Sequence, residues 1–327
     1  MPALAPLADV MPDLVTFGES LLRLGTDQGT PLEETDAFDV YVGGAEGNVA
    51  VAAQRLGIDA TWLSKLPSTP LGRRIVSTYR SHGISPAVAW TDDGRVGTYY
   101  LERGTQPRGS RVVYDREGAA IRSATPAELS TDPITEARAF HVSGITPALS
   151  ETLAETTGTL LSVAAGADTT TTFDVNYRSN LWDPATAAET IGQLLVDVDV
   201  LFVAERDART VLDVDGDPDA MARALAEEYD LGLVVVTLGA DGALAFDGSM
   251  VHRQDAFATE TVDSVGAGDA FVGGFLASWL DGAPVVEALD RGVATAALKR
   301  TIEGDLAVVT PEMVADVSEA GGREIDR

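Results

Sequence analysis

Apolar positions follow two rhythms along most of this chain. Short continuous runs of β-formers predict buried strands at residues 14–17, 61–66, 139–142, 171–175, 199–203 and 233–237. Between them, apolar residues recur at helical spacing and predict helices near 70–81, 150–165, 184–196, 217–229, 266–280 and 284–299. One more amphipathic helix carries Val49, Ala52, Ala53 and Leu56 and ends at Gly57. Strand and helix in alternation predict an α/β fold: a mainly parallel sheet, helices on both faces, ligands at the carboxyl ends of the strands. Two stretches, about 23–42 and 86–115, break the rhythm with β-formers and turns such as Asp92-Asp93-Gly94 and Arg108-Gly109. They read as hairpins projecting from the sheet edge, inserted into a single domain spanning residues 1–327.

Composition narrows the setting. The 327 residues hold 51 acids against 23 basic residues, a net charge of −28, and the only lysines are Lys65 and Lys299. Apolar content is ordinary, which excludes a disordered chain, and the acids are spread along the sequence, which excludes an acidic tail. Such a balance suits concentrated salt, where the Debye length falls to about 3 Å at 1 M and self-repulsion is screened. A halophilic cytoplasm is the expected setting, and nucleic acid, which needs Lys and Arg against its phosphates, is not an expected partner. Without cysteine there are neither disulfides nor thiolate metal sites. His82, His141 and His252 are scattered and read as structural or surface residues. The longest apolar run, Leu231–Leu238, is too short to cross a bilayer, so no membrane association is expected. Met1–Leu14 lacks the basic start and apolar core of a signal peptide and reads as a loose extension, with Met11 as an alternative start.

The most informative chemistry lies at Asp263–Phe271, DSVGAGDAF. Gly266, Ala267 and Gly268 precede a helical apolar face of Phe271, Val272, Phe275, Leu276 and Trp279. Small residues at a helix N-terminus let an anion approach bare peptide N–H groups and the positive end of the helix dipole. Asp269 sits where that anion would bind. It is either a helix-capping residue or a base aimed at the acceptor of a transferred phosphoryl group. Phe271 breaks a dinucleotide fingerprint, Gly18-Glu19-Ser20 does not supply one after the first strand, and no GxxxxGK[ST] loop exists.

GAGDAF followed by Gly273 and Gly274 resembles the C-terminal signature of the ribokinase-like (PfkB) carbohydrate kinases. Gly43, Gly44 and Asn48 in VGGAEGNVAVAAQRLG resemble the same family's sugar-side glycine pair and asparagine, although a plain strand-to-helix turn would also account for them. The resemblance spans roughly residues 14–310 and implies a three-layer ribokinase-like fold with a small β lid, ATP and magnesium. It also implies that Asp269 acts as the base beside Gly266, Ala267 and Gly268, and that the amides of Ala267, Gly268 and Asp269 receive the phosphoryl charge. VVVTLGADGALAF resembles the nucleotide strand and turn, which implies Thr237, Gly239 and Gly242 beside ATP; a structural hairpin is the competing reading. The role of Lys299 stays open. Relatives often carry Asn-x-x-Glu after the fifth core strand. Here the stretch is Ala204-Glu205-Arg206-Asp207, so only Asp207 matches as a carboxylate toward the metal.

The substrate is read from a local inversion of charge. Residues 95–122 hold six arginines (95, 103, 108, 111, 116, 122) and three acids, +3 in a chain of −28. An anionic substrate gives that inversion a reason, because arginine pairs with carboxylates; a solvated strand face is the plainer alternative. GTYYLERG, PRGSRVVYDREGAA and FDVNYRSNLWDP are similar to a sugar-acid branch of the family, the 2-keto-3-deoxygluconate kinases. That similarity implies Tyr99 and Tyr114 along the sugar and Arg116 and Arg178 at its carboxylate and oxo end. The plainer readings are lid core for Tyr99, a cross-strand aromatic partner for Tyr114, and surface ion pairs with Asp115 and Asp174 for the two arginines. A neutral-sugar kinase such as a fructokinase, a nucleoside kinase and a catalytically inactive binding protein remain alternatives at this point. Open edges of a lid sheet favour a homo-oligomer.

Overall fold

The computed structural model describes residues 11–105 and 107–320, so the expectation for Met1–Val10 falls outside the described residues. The strands are β1 (Leu14–Phe17), β2 (Leu21–Gly25), β3 (Asp39–Gly43), β4 (Ala60–Pro67), β5 (Ser85–Thr91), β6 (Gly97–Glu102), β7 (Arg111–Asp115), β8 (Ala139–Ser143), β9 (Thr170–Asp174), β10 (Val200–Ala204), β11 (Leu233–Thr237), β12 (Ala243–Phe246) and β13 (Val251–Gln254). The helices are α1 (Ala45–Arg55), α2 (Pro70–Ser81), α3 (Asp132–Glu136), α4 (Ile145–Ala148), α5 (Glu151–Gly166), α6 (Pro184–Leu194), α7 (Glu205–Thr210), α8 (Pro218–Tyr229), α9 (Ala267–Leu280), α10 (Val285–Arg300) and α11 (Pro311–Ala320).

Nine strands form the main sheet in the order β13-β12-β11-β10-β9-β8-β1-β4-β5. Pairing is parallel from β11 to β5, and the hairpin β12–β13 closes the other edge antiparallel. One face is covered by a cluster holding Leu153 and Leu160 of α5, Ile191 of α6 and Leu225 of α8. The opposite face is covered by Val49 of α1, Ile75 of α2, Phe271 and Phe275 of α9 and Leu289 of α10. This is the parallel sheet with helices on both faces that the pattern predicts, and the three-layer ribokinase-like arrangement that the resemblance implies.

A second sheet has the order β3-β2-β6-β7, with β2 and β6 parallel and the other pairs antiparallel. One part of the 86–115 expectation is corrected. Ser85–Thr91 is not a hairpin arm but β5, the parallel edge of the main sheet, residue for residue against β4. Its apolar run, Ala87–Trp90, is short, follows Pro86 and is largely half-buried at the sheet edge.

Glycine sets the packing of α9. A Cβ on Gly273 would meet Ala52 Cβ at 2.5 Å and Val49 O at 2.7 Å, and one on Gly274 would meet Thr295 Oγ1 at 2.4 Å. The pair therefore lets α9 lie tightly between α1 and α10, burying Phe271 and Phe275, each worth roughly 1.5–3 kcal/mol. His141 is fully buried, its Nδ1 is 2.8 Å from Thr172 Oγ1, and burial pushes its imidazole down to about 3, a structural role. Both lysines are inside: Lys65 donates to Ser123 O and Glu128 Oε1, and Lys299 is fully enclosed at the end of α10.

Candidate active site

Strands β1, β9, β10 and β11 end on one side of the main sheet, and α9 begins there. Gly266 precedes α9 with φ 80°, a left-handed turn that glycine adopts without steric cost. Ala267 N–H turns back to Ser264 O at 3.3 Å, so it is not a free donor, contrary to the expectation that it acts with the amides of Gly268 and Asp269. The amides of Gly268 and Asp269 have no backbone or side-chain partner among the described residues, and the Cβ direction of Gly268 meets nothing within 4 Å. Two unsatisfied donors at the head of a fourteen-residue helix make an anion-receiving cup.

Asp269 stands beside this cup, half-buried rather than sealed in the core. Asn48, in the first turn of α1, donates Nδ2 to Asp269 Oδ2 at 2.7 Å, so the two family motifs, 221 residues apart, meet at one carboxylate. Asn176 adds a longer contact, Nδ2 to Oδ1 at 3.5 Å, from a backbone held at φ 38°. Burial raises the Asp269 carboxyl above its ordinary range, while Asn48 and the charge of Arg178 hold it back. Asp174, at the end of β9, is pushed up to about 8, by burial first and then by the charge of Asp269.

Two cavities flank Asp269 through its neighbours. One, of about 390 Å³, is lined by Thr237, Gly239, Gly242, Ala267, Gly268 and Phe271, which brings the nucleotide-side residues and the cup into one space. The other, of about 440 Å³, is lined by Tyr114, Tyr177, Arg178, Asn180, Arg206 and Thr210. Arg178 reaches only its neighbour's carbonyl, Tyr177 O, at 3.1 Å, and no carboxylate pairs with it among the described residues. Asp174 and Asp269 nevertheless lie close enough to feel its charge.

The other expected sugar-side residues lie elsewhere. Arg116 is not free: its Nε is 2.8 Å from Glu19 Oε2, its guanidinium stacks 4.3 Å over the Tyr114 ring, and Glu19 is 3% exposed. Tyr99 is buried and its hydroxyl donates to Asp305, so it supports Tyr114 from behind, ring centroids 5.7 Å apart, instead of lining the cavity. Gly43 and Gly44 make close backbone approaches. A Cβ on Gly43 would stand 2.5 Å from Asp305 Oδ1, and one on Gly44 would stand 2.1 Å from Glu19 O. The arginine excess of 95–122 is largely internal, since Arg95 pairs with Asp115, Arg103 with Glu303, Arg108 with Glu102 and Arg116 with Glu19.

Sequence reasoning missed Glu19, Asp174, Asn176, Arg206 and Asp305. Asp174 and Asn176 lie in the stretch FDVNYR that singled out Arg178, and Arg206 stands next to Asp207; Glu19 and Asp305 gain their roles from partners far along the chain. Toward a metal the protein offers little. No group of three or more His, Asp or Glu side chains is arranged to hold one among the described residues. Asp207 is buried, with Arg206 on its Oδ1 at 2.8 Å, and Ala204 only begins α7 without a side-chain cap. This donor set fits a magnesium ion held by phosphate oxygens and water, not one caged by protein.

Residues 11–311 match the pfkB family carbohydrate kinase pattern. A 2-dehydro-3-deoxygalactonokinase of Haloferax volcanii is 54% identical over 315 residues, covering 96% of this chain and 99% of that relative. A 2-dehydro-3-deoxygluconokinase of Thermoproteus tenax is 33% identical over 302 residues, 91% of each chain. Among solved structures, the 2-dehydro-3-deoxygluconokinase of Thermotoga maritima superposes with a TM-score of 0.89 at 33% identity, over 94% of this chain and 98% of its own.

Proposed function

The chain belongs to the pfkB family of carbohydrate kinases, and on that premise we propose that it carries the γ-phosphoryl group of ATP to the primary hydroxyl of a 2-keto-3-deoxy sugar acid. The enzyme is an ATP-dependent sugar kinase; the sugar acid, the gluconate-derived compound or its galactonate-derived epimer, rests on two supports. One is what the Haloferax volcanii and Thermoproteus tenax relatives are named for. The other, which carries the reading, is Arg178: an arginine without a carboxylate partner, lining a cavity two residues along from the asparagine that touches Asp269. Such a guanidinium is matched to a substrate carboxylate by paired hydrogen bonds. A neutral-sugar kinase and an inactive binding protein are not favoured.

In this reading ATP occupies the cavity of Thr237, Gly239 and Gly242, and the Gly268 and Asp269 amides face its transferred phosphoryl group. The transition state is loose and spreads charge over the phosphoryl oxygens, so fixed donors and alignment supply most of the acceleration. Asp269 orients the acceptor hydroxyl and takes its proton late, held in place by Asn48. Asn48 Oδ1, buried without a partner, is left for a sugar hydroxyl. Magnesium would neutralise phosphate charge, and Asp207 is the carboxylate that would hold it by way of water. The β2-β3-β6-β7 sheet acts as the lid. The open β7 edge, with Val112, Val113 and Tyr114 exposed, supports self-association, which size-exclusion chromatography with light scattering measures.

Among the described residues no helix is long and apolar enough to cross a membrane, and the −28 charge supports work in a salt-rich cytoplasm. The test is a substrate panel in concentrated potassium chloride: 2-keto-3-deoxygluconate, 2-keto-3-deoxygalactonate, fructose and ribose. A sugar acid is expected to be preferred. Arg178→Ala is expected to raise its KM by about 10- to 100-fold with the KM for ATP unchanged. A preference for fructose, or an indifferent Arg178→Ala, removes the sugar-acid assignment.

A further inference from the structure

Lys299 is a fully buried cation that the proposed chemistry does not use. Its Nζ donates to two backbone carbonyls, Asp263 O at 3.0 Å and Ile302 O at 3.2 Å. Each belongs to a segment that shapes the amide cup. Asp263 opens the loop that leads to Gly266, and its carboxylate is held on both oxygens. Oδ1 accepts from Val265 N at 3.0 Å, and Oδ2 accepts from Gly304 N at 3.2 Å and pairs with Arg23 at 2.7 Å. Ile302 opens the loop that carries Asp305. The Asp305 carbonyl lies 2.2 Å from where a Gly266 Cβ would stand, and its carboxylate closes on Gly43 and pairs with Arg23 at 3.3 Å. Arg23 and Lys299 thus balance Asp263 and Asp305 in a buried lattice directly behind the turn that starts α9.

We infer that Lys299 is a positioning residue for phosphoryl transfer: by binding both carbonyls it locks the 263–266 turn against the 302–305 loop and fixes where the Gly268 and Asp269 amides point. An ammonium suits this place because it is a compact charge with three donors that can turn to meet two carbonyls at once. The inference rests on the proposed role of those two amides. Asp263, Asp305, Arg23 and Asp269 are the charged groups that face Lys299, with Tyr99 behind Asp305. Burial lowers the basicity of the amine and the carboxylates restore part of it.

The test uses the full chain with Lys299→Ala, Lys299→Met and Asp269→Asn, assayed in sodium chloride with and without added ammonium chloride. Lys299→Ala leaves a space where free ammonium can donate to the same carbonyls, whereas the Met side chain fills it. For Lys299→Ala, kcat is expected to fall about a hundredfold with the KM for sugar unchanged, and ammonium is expected to restore much of it saturably. Lys299→Met is expected to lose kcat without rescue. The parent enzyme and Asp269→Asn are expected not to respond to ammonium.

Parent-like kcat in a folded Lys299→Met, or a loss in Lys299→Ala that ammonium leaves untouched, overturns the inference. Should Lys299→Ala fail to fold, Lys299→Met, close to lysine in size, decides alone. If Asp269→Asn retains turnover, the acceptor is not served beside the cup, and the proposed function fails and takes this inference with it. If Asp269→Asn is inactive while both Lys299 variants turn over normally, this inference alone fails.

Discussion

The space on the two sides of Asp269 is made of different material. On the nucleotide side the groups aimed at the ligand are main-chain amides at the head of α9, and the charges behind them are buried and mutually neutralised. On the sugar side they are side chains from β7, the loop after β9 and α7, and one arginine there is left without a carboxylate. Main-chain donors are present whatever the side chains, provided the turn is held, so one side depends on backbone geometry. The other depends on which cations are tied up and which are free. Arg116 and Arg178 look alike in sequence and differ in their partners: the Glu19 carboxylate and the Tyr114 ring occupy the first, and the second meets only the Tyr177 carbonyl.

Removing the group that both sides share tests the contrast most severely. Asp269→Asn is expected to lower kcat by about 10²- to 10⁴-fold while the KM for ATP is kept, as steady-state kinetics measure. Near-normal turnover would place the base elsewhere. Next in size is Arg116→Ala, which leaves Glu19 buried and unpaired and is expected to cost about 3–5 kcal/mol in denaturant unfolding. The double variant with Glu19→Gln is expected to cost less than the two single changes summed. If Arg116→Ala changes only the KM for sugar and not stability, Arg116 belongs with Arg178.

Gly266→Ala and Gly268→Ala probe the main-chain side. The first forces a Cβ at φ 80° into Asp305 O and is expected to lose about 1–3 kcal/mol of stability together with activity. The second meets no protein atom within 4 Å, so thermal unfolding is expected to be unchanged while phosphate transfer slows. Equal destabilisation by both would show that the cup is not open.

The smallest effect is one of pH. Asp174 titrates near 8 in the folded chain against an ordinary 3.8, so between those values the native state holds a proton that the unfolded chain has released. This group therefore removes stability as pH rises through that window, and the loss levels off above it. Asp174→Asn abolishes the penalty, so its thermal midpoint is expected to gain on the parent's more at pH 8 than at pH 5. A constant difference would mean that Asp174 is charged throughout.

Legibility follows the same division. Cup, base and the start of the helix lie within nine consecutive residues, and their consequences are local: a left-handed glycine, bare amides, a carboxylate in the first turn. The inner strands were readable because burial on both sides leaves a continuous apolar run. β5, at the sheet edge and largely half-buried, carries a short run, Ala87–Trp90, behind Pro86, and nothing in it separates an edge strand from a hairpin arm. The arginines of 95–122 could be counted but not sorted, because their partners include Glu19 and Glu303, which only folding brings near. Asp305 joins Arg23, Tyr99, Gly43 and Gly266 from a loop with no pattern of its own.

Because both lysines are enclosed and engaged, the outer surface carries no side-chain primary amine, and every lysine-directed reagent must wait for the fold to breathe. Acylation at Lys299 thus becomes a clock for the opening of the catalytic floor, readable by mass spectrometry against a background of only the chain's own N-terminus and Lys65.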